Sequence, residues 1–550
     1  MDWIISRGEI KMQKKPNVIL IFVDDVGIGD LSCFNSHSKI QTAQLDRLAE
    51  RGMRFEDSHS ISALCTPSRY GLLTGTYSWR SPLKSYVLPG DSLPLIEEGR
   101  RTMAQMFKEK GYQTAVVGKW HLGLGWQLKP EKDFEKFNLD PSDYGQPKRQ
   151  MGRAGDFNIL SGMYDMEGLD IDYSQPIKDG PLARGFDYFY GTPASIDQPP
   201  YVVIENDRVL EEPTYISGRA NIDRRSGVHQ QEWQNGVTAP SYDHTALPRQ
   251  MQDKVLELME SYSQSDAPFF IYYPVHIAHG PILPDEPFVD SSGIGPYGDI
   301  ILQLDSYVGE IQDKLVELGA DEDTLVVFTS DNGASAVADF PHLLAHGHNP
   351  SAHFRGEKFD IWEGGHREPT IMTYPNYIPA NSVCQSLVAH TDFYRTFADL
   401  IGYDIYHDEA VDSESMLDML KEPNQYGRVN LIVTSANGAF SIRKGPWKLE
   451  CTADEGSKIP EINDPEAFQP SQLYHLESDP WEHHNVIEGH PEIVSMLIKE
   501  MTQIVKKGRS TPGPIQRNAA NPPTYEWHQL AWMPNYEDYV EELNQTYQEE

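Results

Sequence analysis

Asn17-Val-Ile-Leu-Ile-Phe-Val23, followed at once by Asp24-Asp25, is the stretch on which the fold turns. A continuous, largely β-branched apolar run has no polar face to offer water, so it reads as a strand buried on both sides. Outward from it, short apolar runs alternate with helical patterns. Thr42 to Arg51 reads as a helix with Thr42 as its cap and Gly52 just past its end, and Thr102–Lys110 as another, stopped by Gly111. Strands are expected at Thr114–Val117, Phe269–Tyr273, Leu325–Thr329 and Thr370–Tyr374, with a helix at Asp299–Leu318. This rhythm predicts an α/β fold with a largely parallel sheet sandwiched by helices. Ligands of such sheets sit at the carboxyl ends of the strands, which is where Asp24 and Asp25 fall.

After about Gly402 the pattern changes. Asn430–Thr434, Ala439–Arg443, Trp447–Cys451 and Gln472–Leu476 read as a small antiparallel sheet, with a helix at Glu492–Lys506 to cover one face. Residues 1–402 are therefore expected to form an α/β domain and 403–550 a smaller C-terminal subdomain. Lys129–Gly180 and the tail from Gly508, rich in Pro, Gly, Asn, Gln and acid, read as long loops.

Among 550 residues, 46 are Lys or Arg and 82 are Asp or Glu, a formal charge of −36. Such a chain has no general attraction for nucleic acid or anionic membranes, and any anionic substrate needs a locally positive pocket. Cys33, Cys65, Cys384 and Cys451 do not make a disulfide scaffold or a zinc-type pair. The residues up to Asp25, with a second Met at position 12, lack a secretory arrangement, and the apolar run is too short to span a bilayer. The chain as given reads as cytoplasmic, or as periplasmic or secreted if an export segment is missing from it.

Cys65-Thr-Pro-Ser-Arg69 carries the chemistry. Pro67 suits the first turn of a helix, which places Cys65 at a helix N-terminus beside a fixed cation, an anion site with a candidate nucleophile. A buried thiol before a helix is the plainer alternative. Asp24-Asp25 and Ser330-Asp331-Asn332-Gly333 each follow a strand; alone they would be turns or caps, together they make an oxygen-rich site suited to Ca²⁺ or Mg²⁺.

Cys65-Thr-Pro-Ser-Arg69 with the Leu-Thr-Gly block ending at Gly75 resembles the signature of the type I, formylglycine-dependent sulfatases of the alkaline phosphatase superfamily. Gly118-Lys119-Trp120-His121-Leu122-Gly123, His279-Gly-Pro281 and Arg355-Gly-Glu-Lys358 through Trp362-Glu-Gly-Gly365 match further blocks in the family's order. Arg184–Gly191, Ser441–Leu449 and Leu473–Pro480 extend the match over nearly the whole chain. The resemblance implies an alkaline-phosphatase-like fold and hydrolysis of a sulfate monoester. It implies that Cys65 is oxidised by a formylglycine-generating enzyme to an aldehyde, whose hydrate attacks sulfur. It assigns Asp24, Asp25, Asp331 and Asn332, with modified residue 65, to one Ca²⁺. Lys119 would contact the diol and sulfate, and His121 would be the base that drives sulfate elimination. His279 and Lys358 would hold sulfate oxygens, one of them protonating the leaving alcohol, and Arg69, Lys119 and Lys358 would supply the positive pocket. His276 is an alternative to His279.

For specificity, Trp79, Arg80, Lys84, Tyr201, Glu205, Asp207, His244, His346, His348 and His353 lie in loops that could border the cleft. Aromatic rings with mixed polar groups suit a sugar, so a sulfated sugar of a polysaccharide or oligosaccharide is the preferred substrate class, its ring, its sulfated position and the oligomeric state of the enzyme staying open. The rivals are a phosphonate or phosphate ester hydrolase of the same superfamily and a non-catalytic binder of sulfated glycans with unconverted Cys65.

Overall fold

A computed structural model describes residues 15–137, 139, 168–218, 233–423, 425, 427–458, 463–520 and 526–549. The expected strand is Asn17–Val23, with every residue after Asn17 buried. It lies between Phe269–Pro274 and Thr324–Ser330, parallel to both, with Leu20 opposite Tyr272 on one side and Val327 on the other. Being central and covered on both faces, it needs apolar residues at odd and even positions alike.

From one edge to the other, the ten-stranded sheet runs Ser382–Cys384, Met53–Phe55, Thr370–Thr373, Thr324–Ser330, Asn17–Val23, Phe269–Pro274, Gln113–Lys119, Tyr188–Thr192, Ile204–Glu205, Arg208–Val209. The five strands from Thr324–Ser330 to Tyr188–Thr192 are parallel. Thr370–Thr373, expected to continue the parallel rhythm, instead runs antiparallel to both neighbours. No crossover helix returns the chain to the starting edge after Ser330, so it re-enters the sheet from the carboxyl side; Thr329 and Thr370 share a hydroxyl hydrogen bond of 2.8 Å there.

The helix expected from Thr42 is Ala43–Glu50, but Thr42 does not cap it with its side chain. Its hydroxyl is taken by Ser32, which donates from its backbone N–H at 3.0 Å. The cap comes from a distant helix, Pro296–Glu317: the Asp305 carboxylate accepts the N–H groups of Gln44 and Leu45 at 2.8–3.1 Å. Thr102 does cap Met103–Glu109, reciprocally with Gln105.

The C-terminal sheet is antiparallel in chain order, Asn430–Thr434, Phe440–Lys444, Trp447–Glu450, Gln472–His475. The helix Pro491–Lys507 packs on it through Leu497, Met501, Ile504 and Val505. The tail is not merely a loop: it forms a short 3-10 turn at His528–Leu530 and a helix at Tyr536–Glu549, and buries Trp527, Leu530, Trp532 and Met533 in this second core. Of the other expected loop, residues 140–167 lie outside the described residues. Among the described residues no helix is long and apolar enough to cross a membrane.

Candidate active site

Five structural units bring their polar residues to one place at the carboxyl edge of the parallel strands. Asn17–Val23 delivers Asp24 and Asp25, Thr324–Ser330 delivers Asp331 and Asn332, and Gln113–Lys119 ends on Lys119 with His121 beyond it. Phe269–Pro274 leads into the loop of His279. The helix Cys65–Thr74 points its N-terminus at them with Cys65 as its first residue, and Gly75 ends it in the left-handed region at φ 63°. Pro67 sits in its first turn, where a missing N–H costs no helical bond. Lys358 is held by its backbone N–H, which donates to the Ala334 carbonyl at 2.8 Å.

Three cations meet three carboxylates. Lys119 Nζ lies 2.5 Å from Asp24 Oδ2, Arg69 Nη2 lies 2.6 Å from Asp331 Oδ2 and 3.3 Å from Asp24 Oδ2, and Lys358 Nζ lies 2.7 Å from Asp25 Oδ1. Burial pushes the Asp24 carboxyl up, but Lys119, His279, Arg69 and Lys358 together outweigh it and hold it well below the usual carboxylate range. Burial and the neighbouring Asp24 push Asp331 up to about 6. Burial lifts the Cys65 thiol to about 12 against the pull of Lys119 and Lys358. An unmodified thiol here stays protonated at neutral pH and is a poor nucleophile.

Asp24, Asp25, Cys65 and His279 each offer a ligand atom, all within 4.8 Å of one another. Whether the site fits a hard cation can be judged from its unused oxygens. Among the described residues Asp24 Oδ1 and Asn332 Oδ1 are buried without a hydrogen-bond partner, while Asn332 spends its amide N–H groups on Asp25 Oδ1 at 2.7 Å and the Gly333 carbonyl at 3.0 Å. Buried oxygens left unpaired are costly, and three carboxylates with an amide oxygen suit Ca²⁺ or Mg²⁺. Because Arg69, Lys119 and Lys358 already balance Asp24, Asp25 and Asp331, a divalent cation would leave the site net positive, as an anionic ester in a −36 chain requires. A second group, His59, Glu363 and His366, also lies within 4.8 Å. It is already closed by His59 Nδ1 to His366 Nδ1 at 3.0 Å, His59 Nε2 to Asp57 at 2.8 Å, and Lys448 Nζ to His366 Nε2 at 3.2 Å.

The histidines separate cleanly. The backbone at His121 is in the left-handed region, φ 56°, so the chain turns there just past Lys119. His121 Nε2 pairs with the Leu88 carbonyl at 2.8 Å, which fixes the proton on Nε2. Its Nδ1 is a buried acceptor without a partner among the described residues, and burial, Lys119 and Arg69 hold the ring well below its ordinary pKa. His279 Nδ1 donates to the Gly280 carbonyl at 2.8 Å, leaving Nε2 facing Asp25 Oδ2 at 3.9 Å. His276 is spent elsewhere, on the Thr192 hydroxyl at 2.8 Å, and burial takes it down to about 3.

Most of the loop residues expected to read substrate do other work. Trp79 and Arg80 are buried: Arg80 lies over the Trp79 ring and pairs with Asp412 at 2.7 and 2.8 Å. Lys84 Nζ donates to the carbonyls of Trp79, Ser81 and Ala519. His348 is buried against Asp30 at 2.8 Å, and Glu205 accepts from the Tyr188 hydroxyl at 2.6 Å. Asp207 accepts the Ile177 N–H through its backbone carbonyl at 2.7 Å. His346 is exposed and turned to the His342 carbonyl, and His353 lines a separate cavity of about 500 Å³ with Phe354, Arg367 and Arg443. The segment that does border the site, Pro193–Gln198, went unmarked in the sequence. It follows the strand Tyr188–Thr192, whose Thr192 pairs with Lys119, and its Pro193 carbonyl accepts the His121 N–H at 3.0 Å. Its position one strand along from Lys119 at the same sheet edge was the available signal.

The fold and site define a member of the sulfatase family, whose model matches residues 16–403; the chain belongs to that family and is a sulfuric ester hydrolase. It is 33% identical to an N-acetylgalactosamine-6-O-sulfatase of Bacteroides thetaiotaomicron over 91% of this chain and 95% of that protein. Human arylsulfatase A is 29% identical over 89% and 87% of the two chains. A solved sulfatase from a study of glycosaminoglycan metabolism in Bacteroides thetaiotaomicron superposes with TM-score 0.73 at 30% identity, covering 89% of this chain and 99% of that one.

Proposed function

We propose that this chain removes a sulfate from a 6-O-sulfated N-acetylhexosamine, releasing inorganic sulfate and the free hydroxyl. The convergence of Cys65 with three carboxylates, three cations and two histidines carries the hydrolase part; the sugar rests on the 33% relative. Residues 1–402 supply the chemistry, and 403–550 brace it through pairs such as Arg80 with Asp412.

Cys65, converted to formylglycine, supplies a hydrated aldehyde as the nucleophile toward sulfur. Asp24, Asp25, Asp331, Asn332 and residue 65 would hold a Ca²⁺, which would supply positive charge to the sulfate. Arg69, Lys119 and Lys358 orient the sulfate by charge-assisted contacts. As the attacking hydroxyl bonds to sulfur and gives up its proton to solvent, the S–O bond to the sugar breaks, and the leaving oxygen takes a proton from Nε2 of the doubly protonated His279 ring, whose Nδ1–H stays on the Gly280 carbonyl. Lys358 is the poorer donor, because burial pulls its pKa down but Asp25 and the other anions outweigh this and raise it. His121 Nδ1, the unpartnered acceptor, takes the proton of the remaining hydroxyl as sulfate departs.

The test starts with the tryptic peptide Phe55–Arg69 from protein produced beside a formylglycine-generating enzyme. Conversion makes it about 18 Da lighter than the cysteine form, and the converted protein releases sulfate from N-acetylgalactosamine 6-sulfate while Cys65→Ala does not. A fully converted protein that hydrolyses phosphonate or phosphate esters in preference to every sulfate ester would overturn the reading.

A further inference from the structure

The geometry points to Asp197 as a residue that reads the sugar: its carboxylate accepts a hydrogen bond from a neutral donor flanking the scissile ester and rejects a second anionic group there. The inference rests on the proposed sugar sulfatase activity.

The segment Pro193–Gln198 lies against Lys119 and His121 on one side and His279 on the other. Asp197 Oδ1 stands 3.8 Å from His279 Nδ1. That is too long for a hydrogen bond, and His279 Nδ1 is already satisfied by the Gly280 carbonyl. Asp197 is therefore not needed to orient the ring. Its backbone is nonetheless firmly held, its carbonyl accepting the Tyr201 hydroxyl at 2.8 Å and the Gln234 N–H at 3.0 Å. Behind it Tyr201, Tyr242, His244 and Trp233 form a packed aromatic wall, with the Trp233 and His244 rings stacked 3.9 Å apart.

On this support one oxygen of the carboxylate is left over. Among the described residues Asp197 Oδ1 has no hydrogen-bond partner although it is buried, and the same holds for Ser195 Oγ and Gln198 Oε1 beside it. The side chain keeps 27% exposure next to His279, itself 13% exposed and the most open of the groups around Asp25. Substrate that places its ester oxygen at His279 Nε2 brings its next ring substituent to the outer flank of that imidazole. An ionised carboxylate can only accept hydrogen bonds, so a hydroxyl or amide N–H fits there. A second sulfate or a carboxylate meets like charge in a poorly solvated corner.

The discriminating experiment compares kcat/KM of converted wild type, Asp197→Asn and Asp197→Ser on N-acetylgalactosamine 6-sulfate, its 4,6-disulfate and an aryl sulfate without a neighbouring hydroxyl. The expected result is a preference for the monosulfate in wild type that falls by at least about tenfold in both variants, the sugar losing more than the aryl ester. A preference that stays within about twofold of wild type, or equal losses on sugar and aryl ester, overturns the assignment. Failure of the underlying activity looks different, since wild type itself would then release sulfate from neither sugar.

Discussion

His121 and Leu88 fix a proton: the histidine's Nε2 gives its hydrogen to the Leu88 carbonyl at 2.8 Å, so Nδ1 is left as an acceptor, buried beside Lys119 and unpartnered among the described residues. In the proposed mechanism this base acts after the sugar has left. Replacing it should cost turnover without costing the first half of the reaction. His121→Ala is expected to lower kcat by about 10²–10⁴ and to accumulate protein carrying one sulfuryl group, visible by intact mass after mixing with substrate. Loss of activity with no such species would remove His121 from the second step.

The metal assignment makes a separate demand on Asn332. Among the described residues its Oδ1 is buried without a partner while its N–H groups hold Asp25 and Gly333. Asn332→Ala removes both the ligand and the brace on Asp25. Calorimetric titration of Ca²⁺ should show weaker binding by at least about tenfold, in line with one lost oxygen ligand and its supporting contact. For wild type, Ca²⁺ at about 100 times its Kd should add about 2.7 kcal/mol to stability; thermal unfolding with and without chelator checks this, and equal melting temperatures would refute a site at these residues.

How much of this was legible in sequence follows from distance along the chain. Asp24, Lys119, His279 and Asp331 each come within a few residues of a strand end, so a local pattern was enough to place them at one sheet edge. Trp79, Arg80 and Lys84 also sit near the signature helix and were read as cleft residues, but their partners Asp412, Asn518 and Ala519 are 332, 438 and 435 residues away. No local pattern reports such pairings. Trp527 and Trp532 were hidden by the Pro- and Asn-rich tail around them, which lacks helical periodicity although it seals the second core. Asp197 lies in no motif, and only the pairing of Thr192 with Lys119 reveals its nearness to His279.

Arg80 ties the turn after the signature helix to Asp412, Asn518 and the Ile504 carbonyl of the helix Pro491–Lys507 rather than meeting substrate. It is buried, bidentate to Asp412, bonded to Asn518 Oδ1 at 3.0 Å and stacked on Trp79 at 4.2 Å. Removing one partner leaves Asp412 buried and uncompensated, so Arg80→Ala should destabilise by about 3–5 kcal/mol. The double variant Arg80→Met with Asp412→Leu, which removes both charges, should lose less. Urea unfolding of the two proteins checks the order; a double variant no better than the single one would show that packing on Trp79, not charge, dominates.

Asp305 makes stability depend on pH in an unusual direction. It caps the helix Ala43–Glu50 by accepting from Gln44 and Leu45, yet burial pushes its carboxyl up to about 6, with those two N–H bonds only partly opposing. A carboxyl whose folded pKa exceeds its unfolded value of 3.8 favours the fold when protonated. Its contribution is therefore complete below about pH 4 and is lost as pH rises through about 6, a change of about 2–3 kcal/mol at most. Asp305→Asn keeps an acceptor for both N–H groups and never ionises. Its stability relative to wild type should rise between pH 4 and pH 7, by about 1–2 kcal/mol. Asp305→Ala, which removes the cap, should cost about 1–2 kcal/mol at pH 4. Unfolding midpoints of the three proteins at pH 4 and pH 7 decide it: if Asp305→Asn gains nothing on going to neutral pH, the carboxylate is stabilised as an ion by the helix end, and burial does not set its charge.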